Sequence, residues 1–294
     1  MAQIPKKLVT DLNASINALS TASRKLFAAR FSDGLPRFVD ANGTVPPEKV
    51  AELREFAVAL LDEVSGAAVD MACAFGANFY DAARTAAIGS PLGYGALVAP
   101  AALHEANDAA VRGMIETVKK TGDAALFARE CADRVDYSVR RGCGESVVAC
   151  GMHDAKEPRF ARVPTGTETC EFCIMLASRG AVYLSARRAG IVDHFHPKCD
   201  CKIVPSWGKD EWDSPVEGYD PSGIYDRWRD MEMERASERA SRNGTTVEEE
   251  WQRDRDRLAD AAERGHARNI TRGQEDREIN IRQKRNARKK ARGW

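Results

Sequence analysis

No charge of one sign dominates this chain of 294 residues: 44 Lys and Arg stand against 44 Asp and Glu, a formal net charge of zero. A neutral chain has no overall field to draw in nucleic acid or an acidic membrane surface, so any such attraction has to be local. Long apolar runs are also missing. None approaches the roughly 18 residues a membrane-spanning helix needs, and the opening "MAQIPKKLVTDLN" has no apolar stretch behind its lysines to make a secretory signal. No internal repeat of useful period is present, which excludes a repeat architecture. These absences predict a protein of the cytoplasm, or of a particle assembled there, with its eight cysteines held reduced.

What is present suffices for a core: 43% of the residues are hydrophobic, enough at this length for one large or two modest domains. Leu8, Leu12, Ile16 and Leu19 recur at helical spacing and predict an amphipathic helix from Leu8 to Phe31. The Gly- and Pro-rich loop that follows ends in Pro-Pro-Glu, a good helix start because proline at the first position loses no needed donor. Val50, Leu53, Phe56, Leu60, Val64, Ala67, Met71 and Phe75 then form one stripe, whose neighbouring alanines would let another helix approach closely, until "GSPLGYG" breaks it. A third helix is expected from about Ala101 to Lys120, stopped by Gly122, and a fourth from about Ala124 to Arg140, stopped by Gly142. Their short connections suggest antiparallel neighbours in a bundle.

After Gly142 the character changes. "RFARVPTG", "GAVYL" and "CKIVP" are short, β-prone and bounded by Gly or Pro, and so read as strands of a small module. From about Gly208 charged residues take over. The expected fold class is therefore α+β: a mainly helical N-terminal bundle (residues 1–145), a small zinc-stapled α+β module (146–207), and a charged C-terminal extension, helical or partly disordered (208–294).

Four of the eight cysteines and two of the five histidines crowd into "CEFCIMLASRGAVYLSARRAGIVDHFHPKCDC", Cys170 to Cys201. A Cys-x-x-Cys pair lets two thiolates of one tight turn grip a tetrahedral ion, and His-x-x-Cys can complete it. The spacing thus points to zinc on Cys170, Cys173, His196 and Cys199, with Cys201 or His194 as alternates for one position. A module of this size has little core of its own, so the metal would supply folding free energy. Arg179 and Gly180 read as the turn after the first pair, where glycine permits positive φ. The outlying Cys73, Cys131, Cys143 and Cys150 have no paired spacing and read as buried small hydrophobes, and His104, His153 and His266 stand alone.

A catalytic metal is disfavoured. The His-x-Glu of a zinc deaminase and the His-Glu-x-x-His of a zinc protease are both missing, and four protein ligands would close the coordination sphere. "VDHFHP" resembles the start of an HNH endonuclease, which implies His194 as the residue that activates water. The Asn and His set and the second Cys-x-x-Cys of that family do not follow, since the chain continues "KCDCKIVPSWGKDEW". "VEEEW" contains the Glu-x-Glu of an ADP-ribosyltransferase, a pattern that acidic runs make cheaply.

The phrase as a whole carries a more specific resemblance. Thr-x-x-Cys-x-x-Cys at Thr167 to Cys173, Ser-Arg-Gly at Ser178 to Gly180 and His-Pro-x-Cys-x-Cys at His196 to Cys201 resemble, in order and spacing, the central segment of phage minor head proteins of the Mu F-like (phage head morphogenesis) type, including forms found in phages of actinobacteria. The likeness covers about Arg159 to Pro205. It implies a minor capsid protein of the virion, not an enzyme, assembled in the bacterial host cytoplasm near the portal. Its partners would be the portal protein, the major capsid or scaffold protein, and the packaged DNA.

One local charge excess fits the last partner. Arg282 to Arg292 hold seven Lys or Arg and no acid, and such a tail can contact DNA phosphates by counterion release or simply stay solvated. No aromatics interleave with it except the terminal Trp294, so it offers no base-stacking platform.

Overall fold

The computed structural model describes residues 2–93, 103–166, 169–182, 200–210, 212–253 and 256. In chain order these form α1 (Lys6–Gly34), α2 (Val50–Ile88), α3 (Leu103–Thr121), α4 (Ala124–Met152), β1 (Arg159–Val163), α5 (Glu171–Ala177), β2 (Lys202–Ser206) and α6 (Pro221–Asn243). The expected helical majority with a small β element is what forms. "RFARV" and "KIVPS" make an antiparallel pair with Arg162 opposite Ile203. Of "GAVYL", Gly180 to Val182 are outside any strand and the rest lies beyond the described residues.

The first four helices alternate in direction. Arg24 meets Asp133 and Ser20 meets Asp136, which sets α1 against α4, while Arg54–Asp108 and Asn107–Asp62 set α2 against α3. Several ends follow the punctuation in the sequence. A 3-10 turn at Pro47–Lys49 leads into α2, Gly89 closes it at φ 91°, Gly122 at φ 68° follows α3, and Asp123 caps α4 by accepting from the Ala125 and Leu126 amides.

Two expectations fail for one physical reason. The fourth helix does not stop at Gly142 but runs on to Met152, because Gly142 is a contact point: a Cβ there would lie 2.9 Å from Val69 Cγ1 of α2. The α2 stripe also departs from its expected register. Beyond Val64 the buried face is Ser65, Ala68, Ala72, Cys73, Gly76 and Ala77, so Ala67 and Met71 point to solvent, Met71 at 51% exposure. Small residues on both helices bring the backbones together, and bulky ones are turned away from so close a crossing. Cys73, Cys131, Cys143 and Cys150 are buried as expected, and burial pushes the Cys73 thiol up to about 11 and those of Cys131 and Cys143 to about 12.

The helices enclose two apolar clusters. One joins Phe27, Phe31 and Phe38 to α2, α3 and the start of α4, and the other joins the ends of α1, α2 and α4 to β1, α5 and β2. The charged extension begins inside the second. The Ile4 amide donates to Pro215 O at 2.8 Å, the Glu217 amide donates back to Ile4 O, and the Tyr219 hydroxyl reaches Ala177 O at 2.6 Å, with Val216 and Tyr219 buried. A buried carboxylate closes the same end. Asp154, just past α4, accepts from Tyr80 Oη at 2.8 Å, from Arg84 Nε at 2.8 Å and from the Trp207 indole at 3.3 Å, tying α2 and the exit of β2 to the end of α4. Burial raises the Asp154 carboxyl, but the Arg84, Lys156 amide and Tyr80 hydrogen bonds outweigh it and hold the group at about 2.

Among the described residues no helix is long and apolar enough to cross a membrane.

Candidate functional site

The two halves of the cysteine-rich phrase meet on the β1–β2 pair. Cys170 caps α5: its sulfur accepts from the Cys173 amide at 3.4 Å, which forms the tight turn that the Cys-x-x-Cys spacing predicts. Cys173, fully buried, then faces β2. Its sulfur lies 3.0 Å from that of Cys201, which is 1% exposed at the edge of β2. Arg162 of β1, 0% exposed, donates from Nη2 to the Cys201 sulfur at 2.7 Å. Three of the cysteines singled out in the sequence are therefore placed in one neighbourhood, and a buried cation faces them.

Asp200 fixes this geometry. One of its carboxylate oxygens accepts from the Gly166 amide at 2.9 Å and from the Thr169 hydroxyl at 2.8 Å, while its backbone carbonyl accepts from the Thr165 hydroxyl and from Lys202 Nζ at 3.0 Å. The loop that leads to Cys170 is thereby latched to the residue before Cys201. Gly166 has to be glycine for the latch to close, since a Cβ would sit 2.7 Å from the Asp200 carboxylate. Asp200 thus serves as a clamp on Thr165, Gly166 and Thr169 ahead of Cys170. Gly180 adopts φ 70° after α5, as the turn required, and Arg179 is half-buried with its guanidinium 3.6 Å from Met175 Sδ.

His194, His196 and Cys199, like the basic run Arg282 to Arg292, lie outside the described residues. Among the described residues no group of three or more His, Cys, Asp or Glu is gathered closely enough to hold a metal ion. The donors that are placed are nonetheless of the kind zinc takes: soft sulfurs, two of them in contact and a third in the same helical turn. The Glu-x-Glu of "VEEEW" has another task. Glu250 is buried and accepts from Asn243, Thr245 and Arg253, which folds the chain back after Gly244 at the end of α6.

Arg162 and the Asp200 clamp escape sequence reasoning. An arginine in "RFARV" is indistinguishable from a solvent-facing residue of an alternating strand until both faces of that strand are seen to be covered. The Asp-Cys pair of "CDC" was the available signal for the clamp, because an acid beside a ligand-type residue often fixes a neighbouring loop.

Comparison with known proteins now adds to this geometry. A family model described as VG15 protein matches residues 9–231, from α1 into α6. A "Gene 15 protein" of Mycobacterium phage D29 is 32% identical over 81 residues, a match covering 18% of this chain and 30% of the relative. The chain therefore spans about 30% of the length of the curated relative it matches. No solved structure matches.

Proposed function

The chain belongs to the VG15 protein family and is a phage protein, and from that premise we propose that it is a minor capsid (head morphogenesis) protein of the Mu F-like type, with a structural rather than a catalytic role. The observation that carries this reading is the union of the two motif halves. "RVPTGTETCEFC" and "CDCKIVP", the parts that resemble the Mu F-like segment, pair as β1 and β2, share the Asp200 clamp and bring Cys173 onto Cys201. Such a unit is a scaffold: it is knitted by hydrogen bonds and buried side chains into the end of a helical bundle. In this reading the protein resides in the virion, inside the capsid. It contacts the portal protein and the major capsid or scaffold protein, and it touches packaged DNA through Arg282 to Arg292.

Structural zinc belongs to the same proposal, held by Cys170, Cys173, His196 and Cys199, with Cys201 or His194 as alternates. What supports this part of the proposal is the contact of the Cys173 and Cys201 sulfurs, the Cys170 turn beside it and the small size of the module. When bound, the ion supplies tetrahedral cross-linking and no chemistry on a substrate.

The test is direct. Purified virions of the encoding phage should contain the chain at a few copies per particle by quantitative mass spectrometry, and the co-expressed portal protein should retain it on an affinity column. A chain missing from virions and passing unretained over the portal would overturn the reading.

A further inference from the structure

A groove of about 560 Å³ lies on the surface of the bundle between α1 and α4. Its floor is small and apolar, made by Ala28 of α1 and Ala125, Ala128 and Ala132 of α4 with Phe31 and Leu35. Its rim is basic. Arg24, Lys25 and Arg129 line it, and among the described residues no Asp or Glu does. Arg24 has its ion pair with Asp133 at 2.5 Å, whereas Lys25 and Arg129 are exposed and enter no ion pair among the described residues. Alanines on such a floor let a helix approach closely, and cations at its edge favour a helix whose exposed face is acidic.

The chain presents such a face itself. On α6, Asp230, Met233, Glu234, Ser237, Glu238 and Ser241 recur at helical spacing and are all exposed. Met233 is a large apolar side chain left in solvent, at 38% exposure. Asp230 pairs with the neighbouring Arg229 at 2.9 Å, but Glu234 and Glu238 stand one turn apart with no cation paired to either among the described residues. Like charges at that spacing weaken a helix until something offsets them. We propose that this face of α6 docks in the α1–α4 groove of a second copy of this chain, with Met233 on the alanine floor and Glu234 and Glu238 facing Lys25 and Arg129. The two surfaces belong to different parts of one molecule. The groove borders the cluster that contains Phe31, while α6 is held on α5 with Ile224 against the other cluster. The contact is therefore head to tail: each copy gives its α6 to one neighbour and its groove to another, and the series closes as a ring or continues as a filament. It is independent of the zinc and capsid readings.

The experiment follows the mass of the purified full chain by sedimentation velocity over a range of concentration and salt. Wild type is expected to grow beyond the monomer as concentration rises and to return toward it at high salt, because rim charges are screened. Lys25→Glu with Arg129→Glu, and separately Glu234→Lys with Glu238→Lys, should each weaken self-association about tenfold. All four positions are exposed, so far-ultraviolet spectra and thermal midpoints should stay at the wild-type values. An equimolar mixture of the two double variants should recover association, since each then meets opposite charge at both of its surfaces. Ala128→Trp, which fills the floor without changing charge, should also weaken it. A wild-type chain that stays monomeric up to about 1 mM overturns the proposal. Monomeric wild type, with retention on DNA or on the portal protein lost in the groove variant, assigns the groove to that partner and overturns it as well. Association unchanged by either double variant, or not recovered in the mixture, overturns the pairing of these two surfaces.

Discussion

Gly76 of α2 lies against the backbone carbonyl of Cys143 in α4: a Cβ at position 76 would be 2.5 Å from that oxygen and 3.2 Å from Ser146 Cβ. The helices cross here at backbone contact, joined by Ser146 Oγ donating to Cys73 O at 2.8 Å. Gly76→Ala must therefore push the helices apart and should destabilise the protein by about 1–3 kcal/mol. Gly66, in the same helix with open space around it, supplies the contrast. There alanine should stabilise by about 0.5–1 kcal/mol, because it restricts the unfolded chain and favours helix. Chemical denaturation of the two variants checks both signs.

Asp154 should control stability in acid. Its carboxyl is held at about 2 in the folded chain against an ordinary 3.8, so the unfolded chain binds more protons in that interval. The contribution is fully present above about pH 4 and is lost as pH falls through about 2; it amounts to about 2 kcal/mol. Asp154→Asn should flatten this acid limb of a stability profile. At neutral pH it should also cost about 3–5 kcal/mol, since Arg84 loses its buried counter-charge.

The clamp gives a local prediction. With Asp200→Ala, the Gly166 amide and the Thr169 hydroxyl lose their acceptor, and the loop before Cys170 should open with little effect on the distant Phe27–Phe127 cluster. Hydrogen exchange should show faster exchange at Gly166 and across α5, with α3 unchanged. The global cost is expected at about 1–3 kcal/mol, that of stranding partly buried hydrogen-bonding groups.

Removal of the proposed zinc with a chelator should act on one end of the molecule. Among the described residues, the cluster formed by α2, α3 and the start of α4 contains none from β1, α5 or β2, so those helices should retain their far-ultraviolet signal while exchange protection in β1 and β2 collapses. Uniform loss of protection along the chain would contradict this division.

Deleting Arg282 to Trp294 takes the seven tail cations from the chain, and retention on a DNA column should fall and depend less steeply on salt. Identical elution of the truncated and full chains would limit the tail to a solvated extension.

Some of the molecule was written plainly in the chain. The helical spacing of α1, the Pro-Pro-Glu entry to α2 and the stop at Gly122 are local signals, and local backbone energetics suffices to read them. The β-prone "RFARV" and "CKIVP" and the metal-type spacing of Cys170 and Cys173 were legible on the same ground. Gly142 misled because glycine serves two purposes, ending a helix or admitting a neighbour, and only the presence of Val69 beside it decides which.

What the tertiary structure alone decided is long-range. The sequence determined that sulfurs would gather near Cys170, but the choice of Cys201 as the sulfur in contact with Cys173 comes from the register of β2 on β1 and from the Asp200 clamp. The burial of Arg162 likewise follows from covering both faces of a two-stranded ribbon, in which every residue of β1 and β2 except Arg159 is buried. Strand propensity is a property of a few neighbouring residues, whereas register and burial belong to groups tens of residues apart that meet only once the chain has closed its core.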